Sequence, residues 1–133
     1  MRLLEHIGLG YVKLNQSLTT LSQGEAQRLK LARELLQTKG KHNLYLLDEP
    51  TVGLHMQDVE NFIKLLQELV EEGHSILVIE HNEQLLAACD YLIELGPQGG
   101  VHGGQLIAQG SPLALLHQNE SVIAPYLKRF IKD

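Results

Sequence analysis

Leu44-Tyr45-Leu46-Leu47-Asp48-Glu49-Pro50-Thr51 decides how this chain is read. A short apolar run bounded by polar residues fits a buried strand. The two carboxylates that close it suit the edge where a strand delivers hard oxygen ligands to a phosphate-bound magnesium ion. A plain helix-entry turn after a strand also gives Asp-Glu-Pro, so the octapeptide alone leaves both readings open. Its neighbours narrow the choice. Upstream lies Leu21-Ser22-Gln23-Gly24-Glu25, and downstream a second apolar run, Ile76 to Ile79, ends in Glu80-His81. No G-x-x-x-x-G-K-[ST] loop, whose backbone would cradle phosphates, occurs in the 133 residues.

Working outward, Arg2 to Leu9 is expected to form a short helix and Tyr11 to Thr20 a polar loop. Gly24 to Gln37 reads as helix, with Ala26, Leu29, Ala32 and Leu36 on one face and Arg28, Lys30 and Arg33 largely elsewhere. Val59, Phe62, Ile63, Leu66, Leu69 and Val70 recur at helical spacing, and Gly73 supplies the stop. Ser75 to Glu80 is a second strand, Glu83 to Cys89 a short helix and Tyr91 to Leu95 a third strand. The glycines of Gly96–Gly100 and Gly103-Gly104 read as a hairpin turn into a fourth strand, Gln105 to Ala108, because no helix opens behind them. Pro112 fits the first turn of a small helix ending near His117. Ser121 to Lys132 is expected to be helical, with Tyr126, Phe130 and Ile131 facing inward. Alternating strands and helices predict an α/β fold with a mainly parallel sheet and flanking helices.

Composition excludes several classes. The length suits one domain with its own core, and 44% apolar residues is ordinary for a globular chain. A net charge of −5 argues against a dominant nucleic-acid surface, which needs clustered Lys and Arg. One cysteine, Cys89, rules out disulfide staples and thiolate zinc clusters and fits a reducing cytoplasm. No apolar run approaches membrane-spanning length and no signal-peptide pattern begins at Met1.

The candidate chemistry is concentrated in few residues. Asp48 suits magnesium, and Glu49 beside it can orient and deprotonate an attacking water. Ser22-x-x-Glu25 is a literal capping box, and a capped helix N-terminus is also a place where an anion binds. His81, at a strand end, lies where parallel α/β sheets place ligands. His6, His42, His74, His102 and His117 read as structural or surface residues, with His55 intermediate.

In this combination the residues resemble an ABC-type ATPase, a P-loop NTPase-like fold. Leu21–Glu25 resembles the signature motif opening a helix over 22–38, Leu44–Glu49 the Walker B strand over 44–49, Pro50–His55 the D-loop over 50–55, and His81 the switch histidine. Within that superfamily the pattern is most similar to the UvrA family of bacterial nucleotide excision repair, across nearly all of 1–133. Gly8-Leu9-Gly10-Tyr11, Glu25-Ala-Gln-Arg-Leu-Lys-Leu-Ala32, Leu47-Asp-Glu-Pro-Thr-Val-Gly-Leu-His55, Ile79-Glu-His-Asn82 and Leu95-Gly-Pro-Gln-Gly-Gly100 carry the likeness. Transporter ATPases usually have Ala-Leu-Asp where this chain has Gly53-Leu54-His55.

The resemblance implies the C-terminal part of the second nucleotide-binding domain, a half-domain lacking the Walker A strand. It implies magnesium at Asp48, catalysis by Glu49 and His81, and contact of Ser22, Gln23, Gly24 and Glu25 with a nucleotide held by an opposing domain. Gln23 stands where the family usually has glycine. ATP and Mg2+ are then expected only together with a Walker A element or a partner, and no zinc is expected in this segment. The implied partners are a UvrA-type ABC domain, a UvrB-like repair subunit and damaged DNA. A homodimer, a cytoplasmic location and no membrane are also expected. The competing reading is a non-catalytic interaction module that pairs with an intact UvrA-like or other ABC ATPase.

Overall fold

A computed structural model describes residues 9, 23–35 and 42–131. Helix α1 runs Gln23–Leu35, strand β1 Leu44–Asp48, helix α2 Met56–Glu71 and strand β2 Ser75–Ile79. Then follow α3 (Glu83–Ala88), β3 (Leu92–Gly96), a 3-10 turn (Gly100–His102), β4 (Gln105–Gly110), α4 (Pro112–Leu115) and α5 (Ala124–Leu127). The expected helix over 2–9 and loop over 11–20 lie outside the described residues, Leu9 excepted. Contacts divide the chain into two compact units, Met1–His81 and Asn82–Asp133, a finer division than length suggests.

In the first unit β1 and β2 pair in parallel, Leu44 opposite Ser75 and Asp48 opposite Ile79. Their crossover is α2, whose stripe of Val59, Phe62, Ile63, Leu66 and Leu69 is buried as its spacing predicts. Leu65 joins that stripe, whereas Val70 is exposed. Gly73 ends the connection at φ +93°, where a Cβ would meet the His42 ring at 2.7 Å. The neighbouring His74 ring is buried, accepting from Asn43 N at 3.1 Å and meeting Tyr45 edge-on. The structural reading of His42 and His74 suits these contacts.

Residues of a strand alternate between faces, and among the described residues only one face of this pair is covered. Leu47 is buried, and Tyr45, Ile76 and Val78 are half-buried. Leu44, Leu46, Leu77 and Ile79 lie on the opposite face and are 65, 67, 55 and 66% exposed. Parallel sheets are ordinarily covered on both faces, so this bare apolar surface is unusual.

The second unit is built on an antiparallel pair, β3 with β4, the hairpin expected from its glycines. Among the described strands, parallel pairing is confined to β1 and β2. Leu86, Leu92, Ala108, Leu115 and Leu127 form its core. Burial against this core raises the Cys89 thiol above its ordinary pKa. The C-terminal helix is four residues long and not the full stretch expected. Ala124 and Leu127 are its buried positions, while Tyr126 and Phe130 are exposed and only Ile131 packs partly inward. Its start is set by two acceptors: the Glu94 carboxylate on β3 binds backbone N–H groups that precede α5, and the Ser121 hydroxyl binds that of Ala124, its first residue. Val122 N and Ile123 N donate to Glu94 at 2.9 and 3.0 Å, so the helix starts later than the apolar spacing suggests.

Candidate active site

The ladder between β1 and β2 is extended by one further bond, Glu49 N to Ile79 O at 2.8 Å. Both strands therefore end together, at the carboxyl edge where α/β sheets place ligands. Asp48 is the last residue of β1, and its side chain lies on an exposed position. Glu49 leaves the strand at φ 44°, a left-handed conformation seldom taken by a residue with a Cβ. Pro50 and Thr51 then turn the chain, closed by Val52 N to Glu49 O at 3.2 Å and Leu54 N to Thr51 O at 3.0 Å.

His81 follows β2 and faces this turn, its Nδ1 3.6 Å from Glu49 Oε1 and 3.7 Å from Glu80 Oε2. The imidazole and the Glu49 carboxylate are both open to solvent, 76 and 55% exposed. Three of the residues singled out by sequence, Asp48, Glu49 and His81, thus meet at one strand edge. Ser22 lies outside the described residues. The backbone of Gln23, Gly24 and Glu25 is the first turn of α1. His55 precedes α2 on the surface, without a side-chain cap bond.

What ties α1 to this edge was not evident from motifs. Gln27 Nε2 donates to Asp48 O at 2.8 Å, and Asp48 N donates to Gln27 Oε1 at 3.1 Å. The side-chain amide thereby pairs with the free edge of β1 as a neighbouring strand would. Arg28 Nη1 donates to Pro50 O at 2.5 Å and to Val52 O at 3.4 Å. Arg28 was expected away from the apolar face, yet it is 1% exposed, on the same stripe as Leu31 and Ala32. Those residues stand three and four positions on, so helical spacing held the signal. Desolvation lowers the guanidinium's pKa, opposed by the charges of Glu25 and Asp58.

Thr51 and Glu80 were also missed. The Glu80 side chain has no exposed surface, and its carboxylate accepts from Thr51 N at 2.9 Å, from Thr51 Oγ1, and from His81 N at 2.7 Å. A polar residue between Ile79 and a candidate His at a strand end was the available sign.

Among the described residues no group of three or more His, Cys, Asp or Glu could hold a metal ion by itself. The pair at 48–49 has the hard oxygen chemistry magnesium takes when phosphates and water complete its shell.

Comparison with known proteins places this edge in a class. Residues 1–52 match the family model described as ABC transporter, and the α/β frame is that of part of an ATP-binding-cassette domain. The particular likeness is to UvrABC system protein A. The chain is 48% identical to that protein from Aquifex aeolicus over 132 residues, covering 99% of this chain and 14% of the relative. With the Mycoplasmopsis pulmonis protein it is 51% identical over 131 residues, covering 98 and 14%. The crystal structure of UvrA2 from Deinococcus radiodurans superposes with a TM-score of 0.86 at 44% identity, covering 98% of this chain and 16% of that one. In sequence and fold the chain is similar to a segment of UvrABC system protein A, and it spans about a seventh of the length of the curated relatives it matches.

Proposed function

We propose that this chain supplies the hydrolytic edge of a UvrA-type ATPase acting in nucleotide excision repair. The observation that carries this reading is the meeting of Glu49 and His81, 3.6 Å apart, beside Asp48 at the end of a parallel strand pair. Glu49 orients a water and takes its proton; its exposed carboxylate is free to face a ligand. His81, its Nδ1 3.6 Å from Glu49 Oε1, stands where its ring can offer an N–H to the same region. Asp48 would hold Mg2+, which when bound with ATP neutralises charge on the phosphates. Ser22 and the first turn of α1, Gln23, Gly24 and Glu25, present a helix N-terminus to the nucleotide of an opposing UvrA-type domain.

Helix α1, the described part of the segment 22–38, serves as signature helix, with 44–49 as Walker B strand, 50–55 as D-loop and His81 as switch within 1–133. The ATP-holding loop comes from elsewhere in the complete ATPase. A UvrB-like subunit and damaged DNA are partners of that complete protein, whose place is the cytoplasm. No described helix is long and apolar enough to cross a membrane.

The test is Glu49→Gln in the complete ATPase, read by steady-state ATP hydrolysis and by nucleotide binding. Turnover is expected to fall by at least about 100-fold, the scale of a lost general base, with binding retained. Wild-type turnover in that variant would remove Glu49 from this role.

A further inference from the structure

We infer that Glu80 is a positioning residue that sets the separation of Glu49 and His81 by holding one chain segment with each of its carboxylate oxygens. The inference rests on the ATPase reading of the Glu49–His81 pair. The backbone ladder between the strands ends at Glu49 N to Ile79 O. Past that bond the turn at 50–52 and the segment at 80–81 are bridged by the Glu80 side chain. Oε1 takes the Thr51 N–H at 2.9 Å and the Thr51 hydroxyl, and Oε2 takes the His81 N–H at 2.7 Å. Thr51 is 7% exposed and the Glu80 side chain is covered, so the Thr51 side of the bridge is the better shielded from water, while the His81 N–H bond lies at the surface.

The chemistry of these donors explains why a carboxylate stands here. Two of them are backbone N–H groups, which can only donate, and they approach different oxygens of one side chain. An ionised carboxylate accepts on both sides, and bonds to a charged acceptor are the stronger kind. Glutamine has the same shape but one oxygen. Whichever way its amide turns, an NH2 group meets a backbone N–H, and one segment is released. Glu49 stands two residues before Thr51 and His81 directly after Glu80, so release on either side moves one member of the pair.

The experiment compares Glu80→Gln, Thr51→Val and the double variant in the complete ATPase, with Glu49→Gln as control. A misplacement near 1 Å costs up to about 100-fold in rate. Glu80→Gln is therefore expected to lower kcat by about 10- to 100-fold with KM for ATP unchanged. Thr51→Val is expected to be milder and to add little to Glu80→Gln, because both loosen the same link. Hydrogen exchange in the full chain should quicken at the amides of Thr51 and His81, with Leu46 and Leu77 in the strand ladder still protected. Unchanged kcat in Glu80→Gln overturns the inference. So does a general loss of strand protection with kcat and KM moving together, which marks a residue needed only for folding. If Glu49→Gln is inactive while Glu80→Gln is fully active, only this inference fails. If Glu49→Gln turns over normally, the ATPase reading fails and takes the inference with it.

Discussion

Arg28 shows how a single side chain can join two motifs that are 22 residues apart. Its guanidinium is buried, bonds the carbonyls of Pro50 and Val52, and leaves Nε without a partner among the described residues. A buried charge is costly unless several acceptors meet it, and here the acceptors are the backbone of the turn that follows Glu49. Arg28→Ala is expected to destabilise the chain by about 1–3 kcal/mol, since it strands buried carbonyls. Arg28→Lys is expected to recover little, because a point-like ammonium cannot reproduce the forked geometry. Chemical denaturation of the three proteins checks both; an unchanged midpoint in Arg28→Ala would show that the turn holds itself. Asp48, Glu49 and His81 could be picked out beforehand because each closes an apolar run, a pattern visible within a few residues. Gln27, Arg28, Thr51 and Glu80 were illegible for the opposite reason: each takes its meaning from a partner 21 to 29 positions away.

At the scale of elements, local rules succeed where burial and periodicity act together and fail where a distant side chain intervenes. Helix α2 was legible because its stripe is long and the crossover to a parallel strand demands it. Helix α5 was overextended because its start is fixed by Glu94, on a strand 27 positions earlier than Ser121. The β3–β4 hairpin was legible from its glycines, and the structure shows what one of them does. A Cβ on Gly103 would lie 1.9 Å from Gln98 O, inside the isolated bridge between those residues. Overpacking against backbone typically costs 1–3 kcal/mol. Gly103→Ala is therefore expected to destabilise the second unit by roughly that amount, on the order of 2 kcal/mol. Gly99→Ala, where a Cβ meets nothing within 4 Å, is the matched control. Thermal melts of the two variants make the comparison; equal midpoints would mean that the hairpin tolerates the intrusion by shifting.

On the scale of the whole molecule, the most consequential feature is the bare sheet face formed by Leu44, Leu46, Leu77 and Ile79. Contiguous exposed apolar surface drives association. The purified chain is expected to self-associate with rising concentration, and Leu46→Lys with Leu77→Glu to return it to monomer. Both positions are exposed, so the fold should survive the exchange. Sedimentation velocity over a concentration series reads the result; a monomeric wild-type chain at high concentration would show that the face is tolerated in water. The same face has a meaning for supply inside a cell. Chaperones and proteases act on exposed apolar surface, and a partner that covers it withdraws the chain from them. The amount of this chain present at any time would then follow the production of whatever covers it, more closely than the rate of its own synthesis.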